Sequence, residues 1–280
     1  KFAVVVLVVV AAIGAVGAVT YAQTTDHLES NAQDDYTAVA ELGATELDVW
    51  ASDRRATARE VGDNGAFITD DASVRGYLTS ELTTRSDDIV AFHYVDRNDG
   101  TVMASASSRD DGAAVTGQPW FGEDLLFGEE TYTSPTYEVD GERRVAYVAG
   151  TPMRDYLVME VDLSAVVADF RQPTPGSFTA LVQSDGSIGA SDREDVAGER
   201  YDDDIGGAFA GEEHSVGHVS SAALGFADGA DYFVAYAPVP SERWSVAVHV
   251  PLSEAYALSG MIGRNLLLIV GVAVVGLGLL

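Results

Sequence analysis

Few residues in this sequence are spaced for chemistry, and each candidate has a plainer explanation. His214 and His218 stand four apart, a spacing that would place two imidazoles on one helix face toward a metal. The stretch around them is rich in glycine and reads as loop, so no metal site is expected there. Asp96-Arg97-Asn98-Asp99-Gly100 is one residue short of a calcium-binding loop and lacks its closing glutamate. Asp-Gly between alternating apolar residues is instead a hairpin turn. Acid runs such as Glu129-Glu130 and Asp202-Asp203-Asp204 read as solvated surface. The chain has no cysteine, which excludes disulfides, Cys-ligated zinc and thiol catalysis. It also lacks a nucleophile elbow, a phosphate-binding loop and a His-Glu-x-x-His motif. The expectation is a non-enzymatic protein without a cofactor, whose chemistry is recognition.

The elements that must position a recognition site show in the distribution of charge. The 280 residues, enough for two domains, carry 44 acidic and 16 basic side chains and a formal charge of −28. That sign leaves nucleic-acid binding without an electrostatic basis. All the acids lie between Asp26 and Glu254. Outside them, residues 2–25 are uncharged and residues 258–280 are apolar apart from Arg264. Twenty-four residues of helix span about 36 Å, enough for a hydrocarbon core of roughly 30 Å. The expectation is therefore two transmembrane helices, 1–25 and 258–280, around an acidic domain exposed to water. Arg264 can snorkel to the interface. Lys1 beside the first span places the N-terminus in the cytoplasm and the acidic domain outside the cell. The chain is expected to be the sensory part of a longer protein whose output follows Leu280. Arginine outnumbers lysine fifteen to one, and with this acidity the composition fits a protein working in concentrated salt, where self-repulsion is screened.

Between the spans, apolar residues from Leu28 to Trp50 recur mainly at three- and four-residue steps, predicting an amphipathic stalk helix over 26–62. Strand patterns then follow, and they repeat. Val95–Ser105 resembles Val182–Ser191, Val145–Pro152 resembles Phe233–Pro238, and Val158–Ser164 resembles Val248–Ser253. The three matches keep their order at offsets of 86, 86 and 89 residues, the mark of a tandem duplication. The fold class expected is α+β. A long stalk helix carries two PAS-like antiparallel-sheet modules in tandem, a membrane-distal one at 63–175 and a membrane-proximal one at 176–257.

This organisation resembles the double CACHE domain of two-span chemoreceptors. The resemblance rests on Gly117-Gln118-Pro119-Trp120-Phe121, on Ser134-Pro135 and on the strand from Val145 in the distal module. In the proximal module it rests on Arg243–Val248 running into Pro251–Tyr256. With the acidity, the whole chain looks like the sensory half of a haloarchaeal methyl-accepting chemotaxis transducer. The resemblance implies a small-molecule ligand, an amino acid or organic acid among the options, held in the distal module. It implies that Trp120 and Tyr137 wall the pocket and that Asp162 anchors an amine, with Phe121, Tyr132 and Tyr147 as further aromatic neighbours. Gln118 stands where that family carries a carboxylate-gripping arginine, so Arg109, Arg143 or Arg144 would have to substitute. The second copy offers no counterpart to Gly117–Phe121 or Tyr132–Tyr137, so it is expected to carry no ligand. A homodimer in the membrane is expected, because a signal passed through two helices needs a partner to move against. Two further readings share these features: the sensor of a histidine kinase or cyclase, and a phototaxis transducer paired with a sensory rhodopsin.

Overall fold

The computed structural model describes residues 2–106, 110–122, 131–201, 215–220 and 231–255, with backbone alone for 2–29, 194 and 215–220. A single helix, α1, runs from Phe2 to Gly62. A 3-10 turn, Gly65–Ile68, leads to helix α2, Asp71–Thr84, where the Asp70 side chain accepts from the Ser73 N–H and caps the first turn. Among the described residues no helix is long and apolar enough to cross a membrane. The second apolar run, 258–280, lies outside those residues.

The distal sheet comprises β1 (Ile89–Val95), β2 (Val102–Ser105), β3 (Tyr132–Thr133), β4 (Tyr137–Val139), β5 (Glu142–Gly150) and β6 (Tyr156–Asp162). Its order is β2-β1-β6-β5-β3, with β4 also paired to β5, and every pairing is antiparallel. A short helix, α3 (Ser164–Ala168), leads to the proximal sheet. That sheet contains β7 (Phe178–Gln183), β8 (Ile188–Ser191), β9 (Ser215–Ser220), β10 (Asp231–Pro238) and β11 (Trp244–Pro251), in the order β8-β7-β11-β10-β9. A last helical turn, Leu252–Ala255, closes the described part. The α+β fold with a long N-terminal helix and antiparallel sheets is as the sequence implies. His218, read from sequence as loop, lies on strand β9 opposite Phe233.

The duplication extends to individual hydrogen bonds. Gly100 and Gly186 both take a positive φ, 68° and 82°, in the two Asp-Gly turns. Past the turns, Val115 N donates to Gly100 O and Tyr201 N to Gly186 O. Val102 exchanges bonds with Gly112 and Ala113 as Ile188 does with Gly198 and Glu199. Both copies also interrupt their first strand pairing at the same place, between Tyr94 and Val95 and between Leu181 and Val182.

One continuous core joins α1 to both sheets. Ala40, Ala44, Leu47, Ala51, Ala58 and Val61 form the buried stripe of the helix. They pack with Tyr147, Leu157 and Met159 of the distal sheet and with Leu181, Phe233, Val246 and Val248 of the proximal one. The alanines let the helix lie close to the strands. Gly43 serves the same end, since a Cβ there would come within 3.1 Å of Val246 Cγ1. The glycine that weakens the helix by propensity thus permits the close approach of helix and sheet.

Arg54 fixes the distal sheet to α1. Its Nε and Nη2 grip both oxygens of Asp88 at 2.9 and 3.0 Å, Trp50 Nε1 donates to the same carboxylate at 3.0 Å, and the guanidinium lies 5.5 Å from the Trp50 ring centre. Burial alone would raise the Asp88 carboxyl, but hydrogen bonds from Ser86, Arg54 and Trp50 and the charge of Arg54 carry it below its ordinary value.

Candidate functional site

With α1 covering one face of the distal sheet, the other face carries its own cluster. Val95, Val102, Trp120, Tyr137, Ala146, Val148 and Val158 are buried there, with Phe121, Tyr132 and Tyr156 packed beside them. Strand alternation decides which side chains reach this face. On β6 it is Val158 and Glu160; on β5 it is Arg144, Ala146 and Val148; on β1 it is His93 and Val95.

Three of these side chains, Arg144, Glu160 and His93, form a polar group inside the apolar patch. Arg144 Nη1 donates to Glu160 Oε2 at 3.0 Å, and Nη2 pairs with Glu142 at 2.8 Å. Glu160 Oε1 lies 3.8 Å from His93 Nε2, while His93 Nδ1 and Ser105 Oγ are 3.1 Å apart. Glu160 is 7% exposed and His93 8%. Burial, only partly offset by Glu160, holds His93 below its usual value and so neutral near pH 7. The Tyr137 hydroxyl lies beside Glu160 and Trp120, and burial together with the Glu160 charge pushes the phenol far above its usual range.

Trp120 Nε1, Tyr137 Oη and Arg144 Nε are buried here: Arg144 Nε has no hydrogen-bond partner among the described residues, and the Trp120 and Tyr137 groups stand beside each other and Glu160 without a well-formed hydrogen bond. Buried donors are ordinarily paired, and leaving one unpaired costs about 1–3 kcal/mol.

The structure brings Trp120, Tyr137, Phe121 and Tyr132 together on this face. Phe121 packs on the β1–β2 turn, where a Cβ at Gly100 would meet its ring at 2.9 Å. Tyr147 and Gln118 lie elsewhere, while Asp162 shares the face but is engaged locally. Tyr147 points to the opposite face, into the core beside α1, with its ring 6.4 Å from Trp50. It is one residue out of phase with Ala146 and Val148, so it cannot reach the site. Gln118 is exposed, and its backbone closes a turn by accepting from Phe121 N. Both carboxylate oxygens of Asp162 are taken by Ser164, Oδ1 by its N–H at 2.9 Å and Oδ2 by its hydroxyl at 2.7 Å. Two residues earlier on the same face, Glu160 supplies the buried acid. Of the substitute arginines, Arg144 reaches the group, Arg143 donates to Ala197 O at 3.1 Å, and Arg109 lies outside the described residues. Sequence reading missed Glu160 and His93; the signal was available as charged or titratable residues interrupting strands otherwise apolar.

The same face of the proximal sheet is filled by protein. Phe178, Ile188, Tyr201, Tyr232 and Val234 pack there. In strand register His249 occupies the place of Glu160, opposite Phe178 as Glu160 is opposite Ala91. The ring of Phe178 stacks on His249 with centres 4.1 Å apart, and the Tyr201 hydroxyl hydrogen-bonds His249 Nε2. Tyr201 stands where the distal copy has Val115. The segment between Tyr201 and β9 lies outside the described residues.

A hollow of about 390 Å³ lies between Gly43, Leu47 and Trp50 of α1 and Val166 and Phe170 of the connector, with Glu46, Asp169 and Arg171 at its rim. None of the unpartnered buried polar atoms lines it. No group of residues able to hold a metal is found among the described residues.

No family model matches the chain. Transducer protein BasT of Halobacterium salinarum is 30% identical over 270 residues, covering 93% of this chain and 33% of that protein. Transducer protein Htr18 of the same organism is 25% identical over 286 residues, covering 100% and 34%. The chain thus spans about a third of the length of the curated relatives it matches. Among solved structures, the ligand-binding domain of the Pseudomonas fluorescens chemoreceptor CtaA with L-isoleucine superposes with a TM-score of 0.62 at 15% identity, covering 84% of this chain and 98% of that one. The ligand-binding domain of the Pseudomonas aeruginosa amino-acid chemoreceptor PctC with GABA gives 0.59 at 15%, covering 78% and 99%. At these identities the structural likeness is one of fold. The chain is accordingly a homologue of haloarchaeal transducer proteins, folded as a chemoreceptor ligand-binding domain.

Proposed function

We propose that this chain is the sensory region of a transmembrane chemoreceptor that takes a small extracellular solute on the outer face of its distal sheet. It performs no catalysis. The observation that carries the reading is the cluster of buried polar groups at Trp120, Tyr137 and Arg144, which no well-formed hydrogen bond among the described residues satisfies. Aromatic walls with a few convergent polar groups are the ordinary make-up of a small-ligand site. The donors suit a carboxylate, and Glu160 beside them suits an amine, so an amino acid or other small organic acid is the class to screen first. The fold neighbours were solved with L-isoleucine and GABA. The proximal module, its equivalent face filled by Tyr201 and His249, serves as a coupling piece.

In this reading residues 1–25 and 258–280 cross the membrane, the acidic domain lies outside, and a ligand acts by favouring one of two arrangements of the domain. Two chains pair through α1. Opposite its buried stripe, the helix exposes Ala38, Leu42, Thr45, Val49, Ser52 and Ala56, an uncharged seam of alternating three- and four-residue steps that suits a coiled coil. Leu42 is 40% and Val49 66% exposed. Calorimetric screening of the chain in molar salt against amino acids, organic acids and compatible solutes tests the proposal. A hit is expected to weaken by about 1–3 kcal/mol in Tyr137→Phe or Arg144→Gln; a hit indifferent to both places the site elsewhere.

A further inference from the structure

Glu242 lies in the turn between β10 and β11 of the proximal sheet, yet its partners belong to other parts of the molecule. Its side chain is 5% exposed. Oε1 accepts from Thr133 Oγ1 of β3 at 3.1 Å and lies 3.5 Å from Arg55 Nη1 of α1. The same turn is held twice more by α1: Arg55 donates to Ser241 O, and Asp48 accepts from Ser241 N at 2.9 Å. Thr133 directly follows Tyr132 of the candidate site, and Thr136, one residue before Tyr137, donates its N–H to Gln183 Oε1 of β7 at 2.9 Å. The segment that carries two of the site's aromatic residues is thus pinned to the proximal module at both ends. Of the two pins on this segment, Thr133–Glu242 and Thr136–Gln183, the first is the one made by a titratable side chain.

We propose that Glu242 is a positioning residue that couples the distal site to the proximal module, a latch closed when its carboxyl is neutral and loosened when it is ionised. This rests on the distal face being the site. The groups facing Glu242 are Arg55 and Asp48 from α1, Thr133 from β3 and Tyr147 from β5. Burial raises its carboxyl from the usual carboxylate range to about 7, with Arg55 and Thr133 opposing the rise and Asp48 adding to it. A carboxyl raised in the folded state favours folding below its unfolded value, and that contribution is lost as pH rises through about 7. Above about pH 7 the carboxylate keeps its bond from Thr133 and Arg55 at 3.5 Å, but these do not offset the cost of burying its charge, so the closed contact loses ground to an open one in which Glu242 meets water.

The test is amide hydrogen exchange of the full 280-residue chain in detergent and molar salt at pH 6 and pH 8.5, corrected for intrinsic exchange. Segments 131–137 and 239–244 are expected to open together at the higher pH, by about threefold or more, the low end of the coupling between contacting residues. Glu242→Gln is expected to keep both segments closed at both pH values, and Thr133→Val to open 131–137 while 239–244 keeps its pH response. Unchanged pH dependence in Glu242→Gln, or two segments that respond independently in the native chain, would overturn the proposal. Because no ligand enters the experiment, its failure is separable from failure of the site assignment, which Tyr137→Phe and Arg144→Gln address.

Discussion

At the scale of the residue, two buried carboxylates behave oppositely because their partners differ. Asp88 receives a two-point grip from Arg54 and a third bond from Trp50, so its charge is matched. Replacing Arg54 by methionine strands that charge, and a loss of about 3–5 kcal/mol is expected by chemical denaturation. Since the Asp88 carboxyl titrates below its ordinary value in the folded chain, its contribution is present above the usual carboxylate range and disappears as pH falls through its lowered value. Asp88→Asn should flatten that acid limb of a stability profile. Glu242 has one loose cation instead, and its effect runs the other way, with stability lost as pH rises through about 7. Glu242→Gln should remove the alkaline limb and leave the acid one; a profile unchanged in both variants would refute the assignment.

At the scale of the element, the placement of side chains follows from strand phase. The duplicated Asp-Gly turns at Gly100 and Gly186 are local patterns and are legible in the sequence. So is the helix α1, but not its buried stripe: of the spaced apolar residues Leu47 is buried while Leu42 is 40% exposed, and the stripe is made mainly of alanines. Which face a strand residue takes depends on pairing with distant segments. Tyr147 and Arg144 lie three apart on β5 and therefore on opposite faces, and no local pattern distinguishes the face that meets α1 from the face proposed to meet ligand. Glu160 was hidden for the same reason: Asp162, on the same face, had the residue type the family resemblance calls for, but its oxygens are taken by Ser164. The exposed seam of α1 supplies a prediction at this scale. Single cysteines at Leu42 or Val49 should crosslink two chains in membranes, whereas a cysteine at Leu47, which is 2% exposed, should not. Absence of symmetric crosslinks along the seam would reject the parallel pair. Gly43→Val is expected to destabilise by roughly 1–3 kcal/mol through crowding of Val246.

At the scale of the whole molecule, charge and fold make separate demands. A chain at −28 repels itself, and the core along α1 must hold against that repulsion. The melting temperature should therefore climb as potassium chloride rises from dilute to molar, because the screening length falls from tens of ångströms to about 3 Å. A melting temperature indifferent to salt would contradict the electrostatic account. In the proposed reading the duplicated fold serves two tasks. Both outer faces bury polar groups: Trp120, Tyr137 and Arg144 in the distal copy, and in the proximal copy Tyr201 hydrogen-bonded to His249 Nε2, with His249 Nδ1 left without a partner among the described residues. Calorimetric titration of the chain in molar salt with the best solute from a screen, repeated with Tyr137→Phe and with Tyr201→Phe, tests this division most directly. The account predicts a single site per chain whose affinity falls by about tenfold, the equivalent of roughly 1.4 kcal/mol, in the distal variant and holds in the proximal one. Binding that survives Tyr137→Phe and is lost in Tyr201→Phe would contradict it.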